Sequence, residues 1–152
     1  MQIWVDADAC PGTVKDILFR AAERRQIVVT LVANRMLKTP RSPWVKAIQV
    51  PQGFDVADQR IAELAQPGDL VITADIPLAA QALAKQAMVI DPRGEAYTPD
   101  NIEERLSVRR FMEEMRPSGV ATGGPAPYSA ADGKSFADRL DRLLTQALRG
   151  RA

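Results

Sequence analysis

The residues of this chain best suited to chemistry are aspartates at or beside the ends of apolar runs. Asp6 and Asp8 follow the run "IWV" and are one residue apart, directly before a cysteine, a proline and a glycine. Comparable places later in the chain hold Asp55, Asp58, Asp75 and Asp91. Carboxylates that lie close together repel one another and raise each other's pKa unless a cation neutralises them. Such a set predicts a hard divalent cation with oxygen ligands, Mg²⁺ or Mn²⁺.

The composition excludes several other kinds of site. The chain of 152 residues has no histidine and a single cysteine, which rules out serine–histidine and cysteine–histidine catalysis and argues against structural zinc. One thiol allows no internal disulfide and is typical of a reducing compartment. The first residues lead straight into a charged motif, and no apolar run is as long as a membrane span. We therefore expect no signal peptide and a cytoplasmic location.

The elements that would position the aspartates alternate between short apolar runs and amphipathic segments. Strands are predicted at 2–5, 27–33, 45–50, within 67–75 and at 88–91. Helices are predicted over 12–25, 53–65, 77–86, 98–116 and 134–149. This alternation predicts the α/β class, with a three-layer α/β/α sandwich around a mainly parallel central sheet. We expect a single domain over 1–152, with a loop at 117–133 before the C-terminal helix.

This fold would bring the aspartates together, because binding sites in open parallel sheets form outside the carboxyl ends of the strands. Asp6 and Asp8 follow the first predicted strand, Asp75 ends the fourth and Asp91 ends the fifth. Asp55 and Asp58 lie at the start of the predicted helix beside them. Asp6 and Asp8 can both face the site only if the chain has begun to turn by Asp8. We therefore predict that Asp6 binds the ion directly, while Asp8 supports it from outside the ligand shell or caps the next helix.

Each aspartate also has a purely structural interpretation. Asp75 precedes a helix and could cap it, as Asp8 could. Asp55 with Asp58 three residues on resembles a capping box. Asp91 precedes a proline and could be an ordinary turn residue. The convergence of all of them, rather than any one, favours a metal site.

Charge is unevenly spread, although the net charge is only +1. Between residues 20 and 46 there are seven basic residues and one acidic residue, whereas residues 55–100 hold eight acidic and three basic ones. A basic rim beside metal-binding carboxylates would suit a polyanion. The alternative is a solvated surface of mixed sign.

Four segments of the chain together resemble the YaiI/YqxD family of small bacterial proteins: "DADACPG", "GFDVADQRI", "GDLVITADIPLA" and "GGPAPYSAADGKSFADRLDRLL". That family is similar to PIN-like domains, which are metal-dependent ribonucleases with a three-layer α/β fold. By motif, the resemblance implies an acidic cluster of Asp6, Asp58 and Asp75, with Asp8 or Asp91 as a fourth carboxylate. The D-x-D-x-C-P opening and the C-terminal segment depart from the PIN-like pattern.

The resemblance thus implies a metal-dependent hydrolase of phosphodiester bonds in RNA. Its implied catalytic residues are Asp6, Asp58, Asp75 and Asp8. Its implied ligands for Mg²⁺ or Mn²⁺ are Asp6, Asp58, Asp75 and Asp91. The RNA backbone would be held by basic residues in and after the loop that follows the second strand: Arg35, Lys38, Arg41 and Lys46. Trp44 could stack on a base, or pack within its loop.

Two other functions remain open from the sequence. The first is a phosphatase of the haloacid dehalogenase type, in which Asp6 would be the nucleophile and Asp8 the general acid, although the motif continues with Ala9 and Cys10 instead of threonine or valine. The second is an RNA-binding protein without catalysis. Cys10 has no visible partner base and is interpreted as a structural thiol. RNA is the expected partner and a membrane is not; the oligomeric state is left open, a homodimer included.

Overall fold

One central sheet organises the computed structural model, which describes residues 1–53, 55–115 and 127–149. Its strands within these ranges are β1 (Ile3–Asp6), β2 (Val29–Ala33), β3 (Val45–Gln49), β4 (Leu70–Ile72), β5 (Met88–Ile90) and β6 (Ala96–Tyr97). Their order across the sheet is β3-β2-β1-β4-β5-β6. All neighbours are parallel except the antiparallel pair β5 and β6. The predicted α/β class with a mainly parallel sheet is confirmed.

Helices cover both faces of this sheet. The described residues form α1 (Gly12–Arg25), α2 (Val56–Leu64), α3 (Ile76–Ala84), α4 (Ile102–Met115) and α5 (Ala130–Arg149). One apolar layer packs α1 and α5 against the sheet, and a second packs α2, α3 and α4 against the opposite face. This is the predicted three-layer arrangement. None of the helices in the described ranges is both long and apolar enough to cross a membrane.

The strands read as apolar runs because helices cover them on both sides. All five residues of β2 are buried, so successive side chains enter the two apolar layers in turn. In β1, Ile3 and Val5 face the layer of α1 and α5, whereas Trp4 faces the layer of α2, α3 and α4. The edge strand β3 is the exception, since three of its residues are exposed. The side chains on each face of the sheet therefore form the apolar layer against which the helices on that face pack.

Some predicted element boundaries differ from the structure. The C-terminal helix begins at Ala130 instead of 134, because Ser129 donates from its backbone N–H (2.9 Å) and its hydroxyl (3.1 Å) to Asp132 Oδ2 and so starts the helix earlier. Residues 117–126 of the predicted loop, and residue 116 at the end of the predicted fourth helix, lie outside the described residues. The two-residue strand β6 was missed because it is too short to show a periodicity.

The strand order creates a crevice beside β1. The chain runs from β1 outward to β2 and β3, and then returns to place β4 on the other side of β1. Connections on either side of such a switch point leave a crevice at the carboxyl ends of the two central strands, where open α/β sheets bind ligands. Here those ends are Asp6 of β1 and the residues that follow Ile72 of β4.

Candidate active site

Thr73 connects the ends of the two central strands. It follows β4, it is 2% exposed, and its hydroxyl donates to Asp6 Oδ2 at 3.1 Å. The hydroxyl oxygen of Thr73 also accepts a hydrogen bond from the backbone N–H of Asp75 at 3.0 Å. Burial raises the pKa of Asp6, the hydrogen bond from Thr73 lowers it, and the charges of Asp75 and Asp8 raise it further. Thr73 therefore holds Asp6 and Asp75 on either side of the crevice.

Asp75 is the N-cap of α3. Its Oδ1 accepts a hydrogen bond from the backbone N–H of Leu78 at 2.8 Å, and Pro77 lies in the first turn of the helix. This confirms the predicted cap. Capping and a place in the crevice are compatible, because the cap uses one of the two carboxylate oxygens.

Asp55 and Asp58 belong to the start of α2. Asp55 occupies the N-cap position, but its φ of +62° is left-handed and its side chain makes no capping hydrogen bond. The predicted capping box is therefore wrong. Aspartate is one of the few side chains that tolerate this backbone conformation. Its carboxylate is left to face the crevice beside Asp58 in the first helical turn.

These side chains form a compact acidic cluster. One carboxylate oxygen from each of Asp55, Asp58 and Asp75 lies within 4.8 Å of the other two. The pKa of Asp58 is raised to about 7, first by burial, then by the charges of Asp6 and Asp75, by a hydrogen bond with Asp75 and by the charge of Asp55. Neighbouring carboxylates at such distances cannot all ionise cheaply without a cation.

Two cavities border the cluster and share Asp55 and Asp58 in their walls. The first, about 310 Å³, also contacts Asp75 and Arg109 of α4. The second, about 220 Å³, also contacts Asp6, Asp8 and Asn34. The structure thus brings five predicted aspartates together and adds Asn34 and Arg109, which the sequence analysis missed. The spacing of the inward-facing Ile102 and Leu106 could have pointed to Arg109, which continues the same helical face.

Asp8 does not cap α1, whose N-cap residue is Pro11 and has no side-chain cap. The chain leaves β1 at Asp6 and enters a single 3₁₀ turn at Ala7–Ala9, so Asp6 and Asp8 can line the same cavity. The carboxylate of Asp8 instead accepts a hydrogen bond from the backbone N–H of Asn34, at 2.8 Å from Oδ2. Its Oδ1 lies 3.8 Å from Nε of Arg35.

Asp91 lies apart from the other predicted aspartates. Its Oδ1 accepts hydrogen bonds from the backbone N–H groups of Arg93 (2.8 Å) and Glu95 (3.0 Å), which closes the turn between β5 and β6. Burial raises its pKa, and these two hydrogen bonds lower it. Among the described residues, Asp91 is in neither the acidic cluster nor the walls of the two cavities. The structure supports the turn interpretation of this residue.

The predicted basic residues are all exposed: Arg35, Lys38, Arg41 and Lys46. Arg35 lies beside Asp8 at the cavity rim, whereas Lys46 lies on the edge strand β3. Trp44 is partly buried against the core, so it packs within its loop rather than offering an open stacking platform.

Cys10 is unsuited to nucleophilic chemistry. Burial raises the pKa of its thiol to about 12; Lys15 lowers it and Asp6 raises it. The thiol is therefore protonated at neutral pH, which agrees with the structural interpretation.

The family match described next includes every residue of the candidate site. A family model described as "Uncharacterized BCR, YaiI/YqxD family" matches residues 4–146. A UPF0178 protein of Burkholderia cenocepacia (strain HI2424) is 64% identical over 146 residues, 96% of this chain and 97% of the relative. A UPF0178 protein of Bordetella avium (strain 197N) is 66% identical over 146 residues, 96% of this chain and 95% of the relative. No solved structure matches the chain.

Proposed function

This chain belongs to the YaiI/YqxD family, and we propose that its acidic site hydrolyses phosphodiester bonds in RNA with Mg²⁺ or Mn²⁺ bound. The observation that carries the proposal is the meeting of Asp55, Asp58 and Asp75 within 4.8 Å at the switch point of the sheet. The resemblance to PIN-like nucleases points the same way. The lone thiol favours the cytoplasm as the place of action.

The donor set fits a hard divalent cation. The cluster offers only carboxylate oxygens, which Mg²⁺ and Mn²⁺ prefer. In the described parts of the chain no lysine or arginine forms an ion pair with Asp6, Asp55, Asp58 or Asp75. The protein itself therefore leaves this negative charge to be neutralised from outside. When bound, the ion supplies Lewis-acid stabilisation of the charge on a phosphodiester group.

Arg109 supplies a cation to the wall of the larger of these two cavities. Its guanidinium lies 3.4 Å from Glu113 in an ion pair on the surface of α4, and its side chain is 41% exposed. Exposed pairs of this kind are weak, so a phosphate can take the place of Glu113. Arg109 would then bind a non-bridging oxygen of the phosphate held at the carboxylates.

The contacts of Asp8 argue against the phosphatase alternative. That mechanism needs Asp8 to carry a proton as general acid, yet its carboxylate accepts from Asn34 and lies beside Arg35. Both carboxylate oxygens of Asp8 therefore already face N–H groups of the protein rather than a leaving group. RNA binding without catalysis would use the same surfaces and is separated from hydrolysis by experiment.

The test is turnover of a labelled single-stranded RNA by the purified protein with Mn²⁺, with Mg²⁺ and with a chelator. Cleavage should require the metal, and Asp75→Asn should abolish it. Asp16→Asn is the matched control, since Asp16 is exposed on α1, away from the cluster. Turnover of p-nitrophenyl phosphate without RNA cleavage would favour the phosphatase. RNA binding with no cleavage in either metal would favour the non-catalytic alternative.

A further inference from the structure

A basic segment of the chain is attached to the acidic site at one point. Residues 34–41 follow β2 without regular secondary structure. Within the described residues, the bond from the Asn34 N–H to Asp8 is the only hydrogen bond that this segment makes. Its other anchor is Leu37, which packs against the apolar core. The position of Arg35 between these anchors thus depends on Asp8.

The contact between Asp8 and Arg35 leaves the arginine available. The Asp8 side chain is 27% exposed and the Arg35 side chain 63%. At 3.8 Å, with one end open to solvent, the ion pair orients the guanidinium but contributes little stability. Arg35 can therefore keep its orientation while its remaining N–H groups bind a phosphate.

The same carboxylate borders the acidic site. Asp8 and Asn34 line the cavity of about 220 Å³ that Asp55 and Asp58 also line. A phosphate bound by Arg35 would therefore neighbour the phosphate held at the carboxylates.

We propose that Asp8 is a positioning residue that holds Asn34 and Arg35 beside the acidic cluster and so aligns a single RNA strand for cleavage. This inference rests on the proposed function, which it deepens. It gives Asp8 a role in binding the polynucleotide and not in binding the metal. Two variants separate the two contacts of Asp8. The conservative variant Asp8→Asn keeps an oxygen that can accept from the Asn34 N–H but loses the charge facing Arg35, whereas Asp8→Ala loses both.

The first test needs no RNA. Asp8→Ala, Asp8→Asn and the control Asp16→Ala are digested briefly with trypsin, and mass spectrometry follows cleavage after Arg35 and Lys38. Both sites should be cut faster in Asp8→Ala than in the wild type and in Asp16→Ala, because the segment has lost an anchor. Asp8→Asn should lie in between. Equal cleavage in all four proteins would overturn the anchoring role.

The second test measures RNA and Mn²⁺ binding separately. Asp8→Ala should weaken binding of a labelled RNA roughly tenfold and reduce its salt slope by about one, since Arg35 no longer meets its phosphate. Calorimetry should show unchanged Mn²⁺ affinity, whereas Asp75→Asn should lose it. Loss of Mn²⁺ binding in Asp8→Ala would make Asp8 a ligand and overturn the inference. If Asp8→Ala binds RNA as tightly as the wild type and the wild type cleaves RNA, the role of Asp8 is overturned and the proposed function stands. If the wild-type protein binds no RNA, both the role of Asp8 and the proposed function are overturned.

Discussion

At the scale of single residues, Asp58 is the aspartate most affected by its neighbours. Its pKa is raised to about 7 by burial, by the charges of Asp6 and Asp75, by a hydrogen bond with Asp75 and by the charge of Asp55. In the unfolded chain the same carboxyl loses its proton near its ordinary pKa of 3.8. The unfolded state therefore binds fewer protons than the native state between these two values, and native stability falls as pH rises from about 4 to about 7.

Replacing this carboxyl should stabilise the protein. Asp58→Asn removes the repulsion while its amide can still donate to Asp75. Because Asp58 is partly open to water, which screens the charges, we expect a gain of roughly 1 kcal/mol, or about 2–4 °C in Tm, at pH 8. The gain should shrink as pH falls toward 4 and disappear below it, where the wild-type carboxyl becomes protonated in both states. Thermal melts of both proteins across this pH range measure it; an Asp58→Asn protein less stable than the wild type at pH 8 would contradict the assigned repulsion.

Metal binding should depend on the same proton. A cation that binds the cluster must displace the proton of Asp58, so Mn²⁺ affinity should rise with pH up to about 7 and level off above it. Calorimetry in buffers of different ionisation enthalpy should detect the released proton at pH 6 and little of it at pH 8. An affinity that is flat between pH 5 and pH 8 would show that Asp58 is not a ligand.

At the scale of elements, Asp69 joins the starts of the two central strands. Its Oδ1 accepts from the backbone N–H of Gln2, and its Oδ2 from the indole N–H of Trp4 and the backbone N–H of Gln66, each at 3.0 Å. Asp69 is 5% exposed. It lies at the amino ends of β1 and β4, opposite the acidic cluster, and so holds together the strands whose carboxyl ends carry the site.

Asp69→Ala should therefore be strongly destabilising. It leaves the buried indole N–H of Trp4 and two partly buried backbone N–H groups without their acceptor. A buried unsatisfied donor costs about 1–3 kcal/mol, and a partly buried one costs less. We expect a loss of roughly 3 kcal/mol or more in the free energy of unfolding, measured by urea denaturation. Asp138→Ala is the control, because Asp138 is exposed on α5 and its carboxylate has no hydrogen bond or ion pair among the described residues. Similar midpoints for the two variants would show that Asp69 does not carry this connection.

At the scale of the whole molecule, the site depends on the order of the strands. The reversal beside β1 brings Asp6, Asp75 and the start of α2 into one crevice, although they are far apart in the chain. Arg109 lines one of the two cavities that share Asp55 and Asp58, and Arg35 lies beside Asp8, which lines the other. A polyanion that follows both cavities would therefore come near both arginines as well as the carboxylates.

A bound cation should stabilise the whole fold, because the cluster exists only when the sheet is assembled. At Mn²⁺ concentrations ten times the Kd, binding to the native state adds about 1.4 kcal/mol, which corresponds to roughly 3–6 °C in Tm. Asp75→Asn should show a much smaller shift. Equal shifts in the two proteins would place the ion outside the cluster.

Much of the fold could be predicted because its signals are local. Apolar runs and helical periodicity identified every strand except β6 and each of the five described helices. Boundaries that depend on individual side chains, such as the hydrogen bonds from Ser129 to Asp132 at the start of α5, could not be predicted from periodicity. The resemblance to the YaiI/YqxD family, drawn from four short segments, is confirmed by the family match over residues 4–146.

The sequence by itself determined which side chains stand at strand ends and helix starts, because these positions follow from local pattern. Only the tertiary structure decided which of them meet. Asp55 joins the cluster because its left-handed backbone turns its carboxylate away from the cap, and Asp91 stays outside because the turn to β6 uses it. Arg109 reaches the cavity because α4 packs over α3. Such meetings depend on strand order and helix packing, which bring together residues that no local pattern connects.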